Sequence, residues 1–214
     1  MKRMICVLAS VSMLGACAYN APVTASPNLN VYSSYGDKLP GDYALYIDTG
    51  EFGRTIHPTG YLCSAHSYPL DIRDPFRESV VGTLQQLVEH VDVVQTPLTA
   101  DELAKSGKRG QIIVRADSMT ATVQFLPGFW SSTGEGHVEL TANLTVDGVG
   151  GRLLGTTGEG EGTAQADAGA MCGGGAQALA NAAEKAVKQL LGQLGERLSN
   201  APRLREAASA AASK

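Results

Sequence analysis

Cys63 and His66 stand three residues apart in Cys63-Ser64-Ala65-His66, a spacing at which an imidazole could take the proton of a thiol and leave a nucleophile. The same sulfur could instead bond to Cys172, and sequence alone does not bring either partner within reach. His57, His66, His90 and His137 are scattered without a His-Glu-x-x-His spacing, and no second cysteine lies near Cys63, so no metal site is expected. Asp71, Asp74 and Glu78 could form paired carboxylates, but helix capping and a solvated helix face account for them. Gly155, Gly158, Gly160 and Gly162 have the freedom of a phosphate-cradling loop. They lack the Lys-Ser/Thr and the strand-turn-helix context that such a loop needs, so a flexible hairpin end is the reading and no cofactor is expected. Cys172-Gly173-Gly174-Gly175 opens a helix whose amides could hold an anion, but glycines that bring a turn close to a sheet beside a disulfide explain it better.

Phe129 and Trp130, set between Pro127-Gly128 and Ser131-Ser132-Thr133-Gly134, are the candidate partner-binding residues. Large aromatics on a turn are costly to leave in water and are enriched where partners bind, although they could also fold back as a lid over the core.

The elements that must position these residues begin with a leader. Met1-Lys2-Arg3, the apolar stretch from Met4 to Leu14 and the small pair Gly15-Ala16 follow the charged, apolar and small order of a secretion signal. A permanent span needs about 20 apolar residues, and the chain turns polar at Tyr19-Asn20. Leu14-Gly15-Ala16-Cys17 resembles the lipobox of bacterial lipoproteins. That resemblance implies removal of residues 1–16, a diacylglyceryl thioether on Cys17 and, with Ala18 rather than aspartate next, an address at the periplasmic face of the outer membrane. Several acyl chains, at ~0.8 kcal/mol per buried methylene, give stable anchoring.

In that setting Cys6 leaves with the leader and Cys17 is acylated. Cys63 and Cys172 are then the pair left in an oxidising space, where a disulfide is expected. Lys2 and Arg3 leave too, which moves the net charge of −4 by two further units and argues against a nucleic-acid partner.

Residues 17–37, rich in Pro, Asn, Ser, Thr and Tyr, read as a lipidated tether spanning ~25 Å on average. Residues 38–200 read as one periplasmic domain and 201–214 as a flexible tail. Tyr43–Asp48 has a strand composition and Gly60–Ala65 a weaker one. Phe76, Val80, Leu84, Leu87, Val88 and Val91 recur at helical spacing after Asp74-Pro75, a cap and first helical position. A short strand at Val91–Val94 and one helical turn at Asp101-Glu102-Leu103 follow. Strands are expected at Gln111–Ala116, at Ala121–Phe125, at Val138–Val146 with strict alternation, and from Arg152 to about Gln165. Gly175–Ser199 reads as a second amphipathic helix.

This order predicts an α+β, two-layer domain with a mainly antiparallel sheet and two amphipathic helices packed on one face. It is similar in pattern to envelope accessory lipoproteins of the class around the TolB N-terminal domain, CsgG and the lipopolysaccharide-assembly lipoprotein. The resemblance implies a non-catalytic binding or assembly accessory, anchored through Cys17 and meeting another envelope protein or a glycolipid. Two other readings stay open. One is a carrier with a ligand between sheet and helices, beside Val138, Leu140 and Leu144; the other is a thiol enzyme built on Cys63 and His66.

Overall fold

The structure, a computed structural model, describes residues 18–129, 131–169 and 171–206. Cys17, Trp130 and the chain beyond residue 206 therefore lie outside the described residues.

A mixed sheet forms the body of the protein. Strands β1 (Leu39–Asp48), β5 (Val88–Val93), β6 (Gly110–Pro127), β7 (Ser132–Gly148) and β8 (Gly151–Asp167) lie in the order β5-β1-β6-β7-β8, and β3 (Pro58–Thr59) pairs beside the far half of β6. β2 (Gly53–Ile56) and β4 (Tyr68–Asp71) make a separate two-stranded antiparallel pair. Among the described residues the helices are α1 (Arg73–Leu87), the short α2 (Ala100–Lys105) and α3 (Gly174–Ser199), and residues 202–206 are also helical. None of the helices among the described residues is long and apolar enough to cross a membrane.

The long pairings of the sheet are antiparallel, as expected, but the sheet is not purely so. β6-β7-β8 is an antiparallel meander, but β1 runs parallel to both β5 and β6, and β3 runs parallel to β6. The cause lies in the connections: hairpins join β6 to β7 and β7 to β8, whereas α1 intervenes between β1 and β5 and carries the chain back before the next strand begins.

Local details differ from sequence expectation for identifiable reasons. Gly60–Ala65 is a turn that holds Cys63 at a positive φ, not a strand. α1 stops at Leu87 because the backbone turns extended at Val88, and Val88–Val93 becomes β5. At its start, Ile72 occupies the cap position without a side-chain bond, and the Asp71 carboxylate accepts the Arg73 amide at 3.1 Å in place of the expected Asp74 cap. The two strands expected across 111–125 are one strand, β6, bent by a bulge between Ala116 and Ser118.

Both long helices cover the same sheet face. Val80, Leu84 and Thr83 of α1 meet Val114, Leu144, Leu191 and Leu194 around a residual hollow of only about 10 Å³. β8 shows how close the packing is. Gly158, Gly160 and Gly162 alternate along its inner face, and a Cβ on Gly160 or Gly162 would stand 2.1 or 2.0 Å from the carbonyl oxygen of Ala186 or Ala182. The glycine run read as a loose hairpin end is thus a regular strand, stripped of side chains where α3 lies on it.

α3 also covers the outer edge of β8. Lys185, Gln189, Gln193 and Arg197, one helical turn apart, reach alternate backbone groups of that strand. Lys185 Nζ donates to Thr163 O at 2.8 Å, Gln189 and Gln193 accept the amides of Glu161 and Glu159 at 3.2 Å each, and Arg197 donates to Thr157 O. Four residues of helix rise about 6 Å and two of strand about 6.6 Å, so the two ladders stay nearly in step. An edge that could template another chain is closed from within. The opposite edge, β5, is short and carries Glu89, His90 and Asp92.

Residues 18–37 are not a free tether. Ala18 bridges to Ser67, and the amides of Tyr19 and Ala21 donate to Ser67 O and Pro69 O at 2.9 and 3.0 Å. The segment then runs along the groove between α1 and α3. Ser26 N donates to Ser79 Oγ at 2.7 Å, Asn28 N to Thr83 Oγ1 at 2.9 Å, and Asn28 Nδ2 to Lys188 O at 3.0 Å. It looks like a linker in sequence because a strap whose amides are satisfied singly by side chains needs neither helical nor strand period. The start of the expected tail is held as well: Leu204 is buried and Arg205 donates to the carbonyls of Asp37 and Lys38.

Candidate functional site

Four segments meet at one end of the molecule: the start of the strap, the turn Gly60–Ser67, the β6–β7 turn at Gly128–Ser131, and the connection from β8 to α3. A disulfide joins the second and fourth, Cys63 to Cys172, with 6.0 Å between Cα atoms and a sequence separation of 109 residues. Both cysteines adopt positive φ, 59° and 63°. Such backbone is uncommon outside glycine, and here the cross-link and neighbouring hydrogen bonds hold it. The expected bond is therefore present. Cys63 carries no thiol in this state, which removes the nucleophile from the thiol-enzyme reading.

Tyr68 organises the layer beneath the bond. Its hydroxyl donates to Cys172 O at 2.7 Å, and its ring lies 6.1 Å from both Tyr19 and Phe125. Burial, and then the neighbouring Tyr19, push its pKa up to about 12. The glycines after Cys172 give this turn its closeness. A Cβ on Gly174 would meet Asp167 O at 1.8 Å, and one on Gly175 would meet the rings of Phe125 and Tyr68 at 2.8 Å. That is the structural role expected for Cys172-Gly173-Gly174-Gly175.

Phe129 lies at the tip of the β6–β7 turn, 89% exposed, so it is not a lid folded over the core. It borders an open hollow of about 550 Å³ together with Leu62, Pro127, Gly128, Asp167 and Gly169. Tyr61 and Met171, flanking Leu62 and Cys172, are also exposed. Sequence reasoning singled out Phe129 and missed these two, because nothing local to Gly60-Tyr61 or Ala170-Met171 says that the disulfide sets them beside the aromatic turn.

The remaining candidates do not converge. The Asp71 carboxylate is held by Arg73, whose Nε donates at 2.8 Å and keeps it below the usual carboxylate range, while Asp74 and Glu78 are exposed on α1. His57 and His90 are exposed, and His66 sits beside Tyr19 with ring centroids 5.5 Å apart. His137 lies on the outer sheet face with Glu139 at 3.0 Å and Glu161 at 3.7 Å. Among the described residues no group of three or more His, Cys, Asp or Glu is placed to hold a metal ion. Of the residues named for the carrier reading, Leu144 lines the hollow between α1, α3 and the sheet, whose volume of about 10 Å³ admits roughly one water, and Val138 and Leu140 are buried.

No family model matches this chain, and no curated protein is similar to it in sequence. Among solved structures, a Xanthomonas campestris protein of family DUF330 is similar over 91% of this chain and 99% of its own, at 10% identity and a TM-score of 0.47. A Helicobacter pylori protein described as a neuraminyllactose-binding hemagglutinin homolog is similar over 89% of this chain and 100% of its own, at 9% identity and a TM-score of 0.45. A hypothetical protein from Chlamydia trachomatis is similar over 72% and 96%, at 5% identity and a TM-score of 0.36.

Proposed function

We propose that this chain is a lipoprotein held by acyl chains on Cys17 at the periplasmic face of the outer membrane, where it acts as a non-catalytic binding or assembly accessory of the envelope. The observation that carries the reading is the order Lys2-Arg3, apolar run, Leu14-Gly15-Ala16-Cys17. The Cys63–Cys172 bond supports the same compartment, because disulfides persist in oxidising spaces. Two surfaces are offered to an envelope protein or glycolipid: the turn of Phe129 and Trp130, and the open edge of β5.

Mass spectrometry of the full chain, expressed in a Gram-negative host and recovered from membranes, tests the anchor. The expected product begins at Cys17 and carries a diacylglyceryl group and an N-acyl chain. Cys17→Ser should lose both and leave the membrane fraction. An unmodified Cys17 in the wild-type product, or a retained leader, overturns the reading.

A further inference from the structure

The strap changes where the proposed anchor lies. A tether of residues 17–37 would hang the domain at a distance, but Ala18 is already paired to Ser67 and Tyr19 lies against His66 and Tyr68. Cys17 is one peptide unit before Ala18, so acyl chains on its sulfur start beside the disulfide-linked loops with no spacer between.

That end has an unusual surface. The stretches of chain at that end, 18–23, 55–70, 125–134 and 168–176, contain no Asp, Glu, Lys or Arg, in a chain that is 18% charged. Charges stand at the margins: Asp167, whose carboxylate accepts the Gly169 amide at 2.8 Å, Glu135, whose carboxylate accepts from Gln124 and Gln165, and Arg54 and Asp71 on the separate two-stranded pair. Tyr61, Phe129 and Met171 meanwhile stand 83%, 89% and 62% exposed there. The other end of the sheet carries ion pairs, Lys108 with Asp92 and Arg152 with Asp147. A surface poor in charge that presents aromatic and thioether side chains and adjoins a lipid attachment point matches the chemistry of a bilayer interface, where tyrosine and tryptophan are favoured and charges are costly.

We infer that this loop end, with Tyr61, Phe129 and Met171, rests on the lipid surface beside the anchor and fixes the orientation of the domain. The inference rests on the anchoring of Cys17 proposed above. It takes the Phe129-Trp130 turn for the membrane, and leaves the β5 edge at the charged end pointing away from the bilayer toward a protein partner.

Trp130 is the single tryptophan of the chain, so its fluorescence reports on this turn alone. The lipidated full chain is reconstituted into phosphatidylcholine vesicles with plain or brominated acyl chains, and flotation is scored in parallel. Bromolipids should quench Trp130 several-fold. Tyr61→Asp with Phe129→Asp should remove most of that quenching while flotation and far-ultraviolet dichroism stay as in wild type, since both side chains are exposed. Equal emission in plain and brominated vesicles, from protein that floats, overturns the docking while leaving the anchor intact and gives the turn to a protein partner. Protein that does not float, with Cys17 unmodified by mass, overturns both.

Discussion

Two buried tyrosines separate a hydroxyl that stabilises from one that does not. Tyr68 donates to Cys172 O, whereas the buried Tyr43 hydroxyl has no hydrogen-bond partner among the described residues. Tyr68→Phe should therefore cost about 1 kcal/mol at neutral pH, and Tyr43→Phe should cost nothing or stabilise slightly. Both pKa values lie above the ordinary 10, through burial first, and Tyr68 reaches about 12. Above pH 10 the unfolded chain loses these protons before the folded chain does. Stability present at neutral pH is then lost as pH rises from about 10 through about 12, and the Tyr43→Phe/Tyr68→Phe double variant should lose less across that window. Urea midpoints at pH 7 and across the alkaline limb check both parts; a larger loss for Tyr43→Phe than for Tyr68→Phe would refute the assignment. At this scale the pairing of Cys63 with Cys172 was legible from type and compartment, whereas for Phe129 the sequence left exposure and packing equally open and the fold decided for exposure. The role of Tyr68 was not legible, because its partner is a carbonyl 104 residues away.

Among the elements, β8 with α3 is the most demanding fit. Alternate glycines let a helix lined with Ala182, Ala183 and Ala186 lie directly on the strand. Gly160→Ala or Gly162→Ala forces a methyl against helix backbone and should destabilise by about 3 kcal/mol or more. Gly155→Ala makes a useful contrast. Its Cβ would meet nothing closer than Arg152 Cδ at 3.7 Å, so the change should be neutral or stabilising by about 0.5 kcal/mol. Thermal midpoints of the three variants decide; equal effects would mean that α3 does not lie as close as described. The period-two placement of Gly158, Gly160 and Gly162 against Glu159 and Glu161 was visible in the sequence. It reads as a loop because pattern rules look for apolar side chains on an inner face, and here that face has none.

Across the whole molecule, the disulfide and the strap tie distant segments together. Cys63 and Cys172 close a loop of 109 residues. Replacing both with serine should lower the unfolding free energy by about 2 to 5 kcal/mol, chiefly by loosening the unfolded chain. Comparing urea unfolding of the oxidised wild type with the double variant measures it, and an unchanged midpoint would show that other contacts already order this end. The strap adds a second tie by lying between α1 and α3 and bringing Ala18 to the disulfide.

Local order decided much of this before any tertiary contact. The alternation of Val138–Val146, the helical stripes of α1 and α3, the capping box of Thr99 and Glu102 and the leader-like N-terminus are all set by neighbouring residues. Tertiary structure alone decided the parallel placement of β1, the descent of α3 onto bare glycines, the docking of residues 18–37 and the gathering of Tyr61, Phe129 and Met171 beside one disulfide. These features depend on which distant surfaces bury one another, and a strap or a loop end held by single hydrogen bonds and one covalent bridge leaves no period in the chain to read.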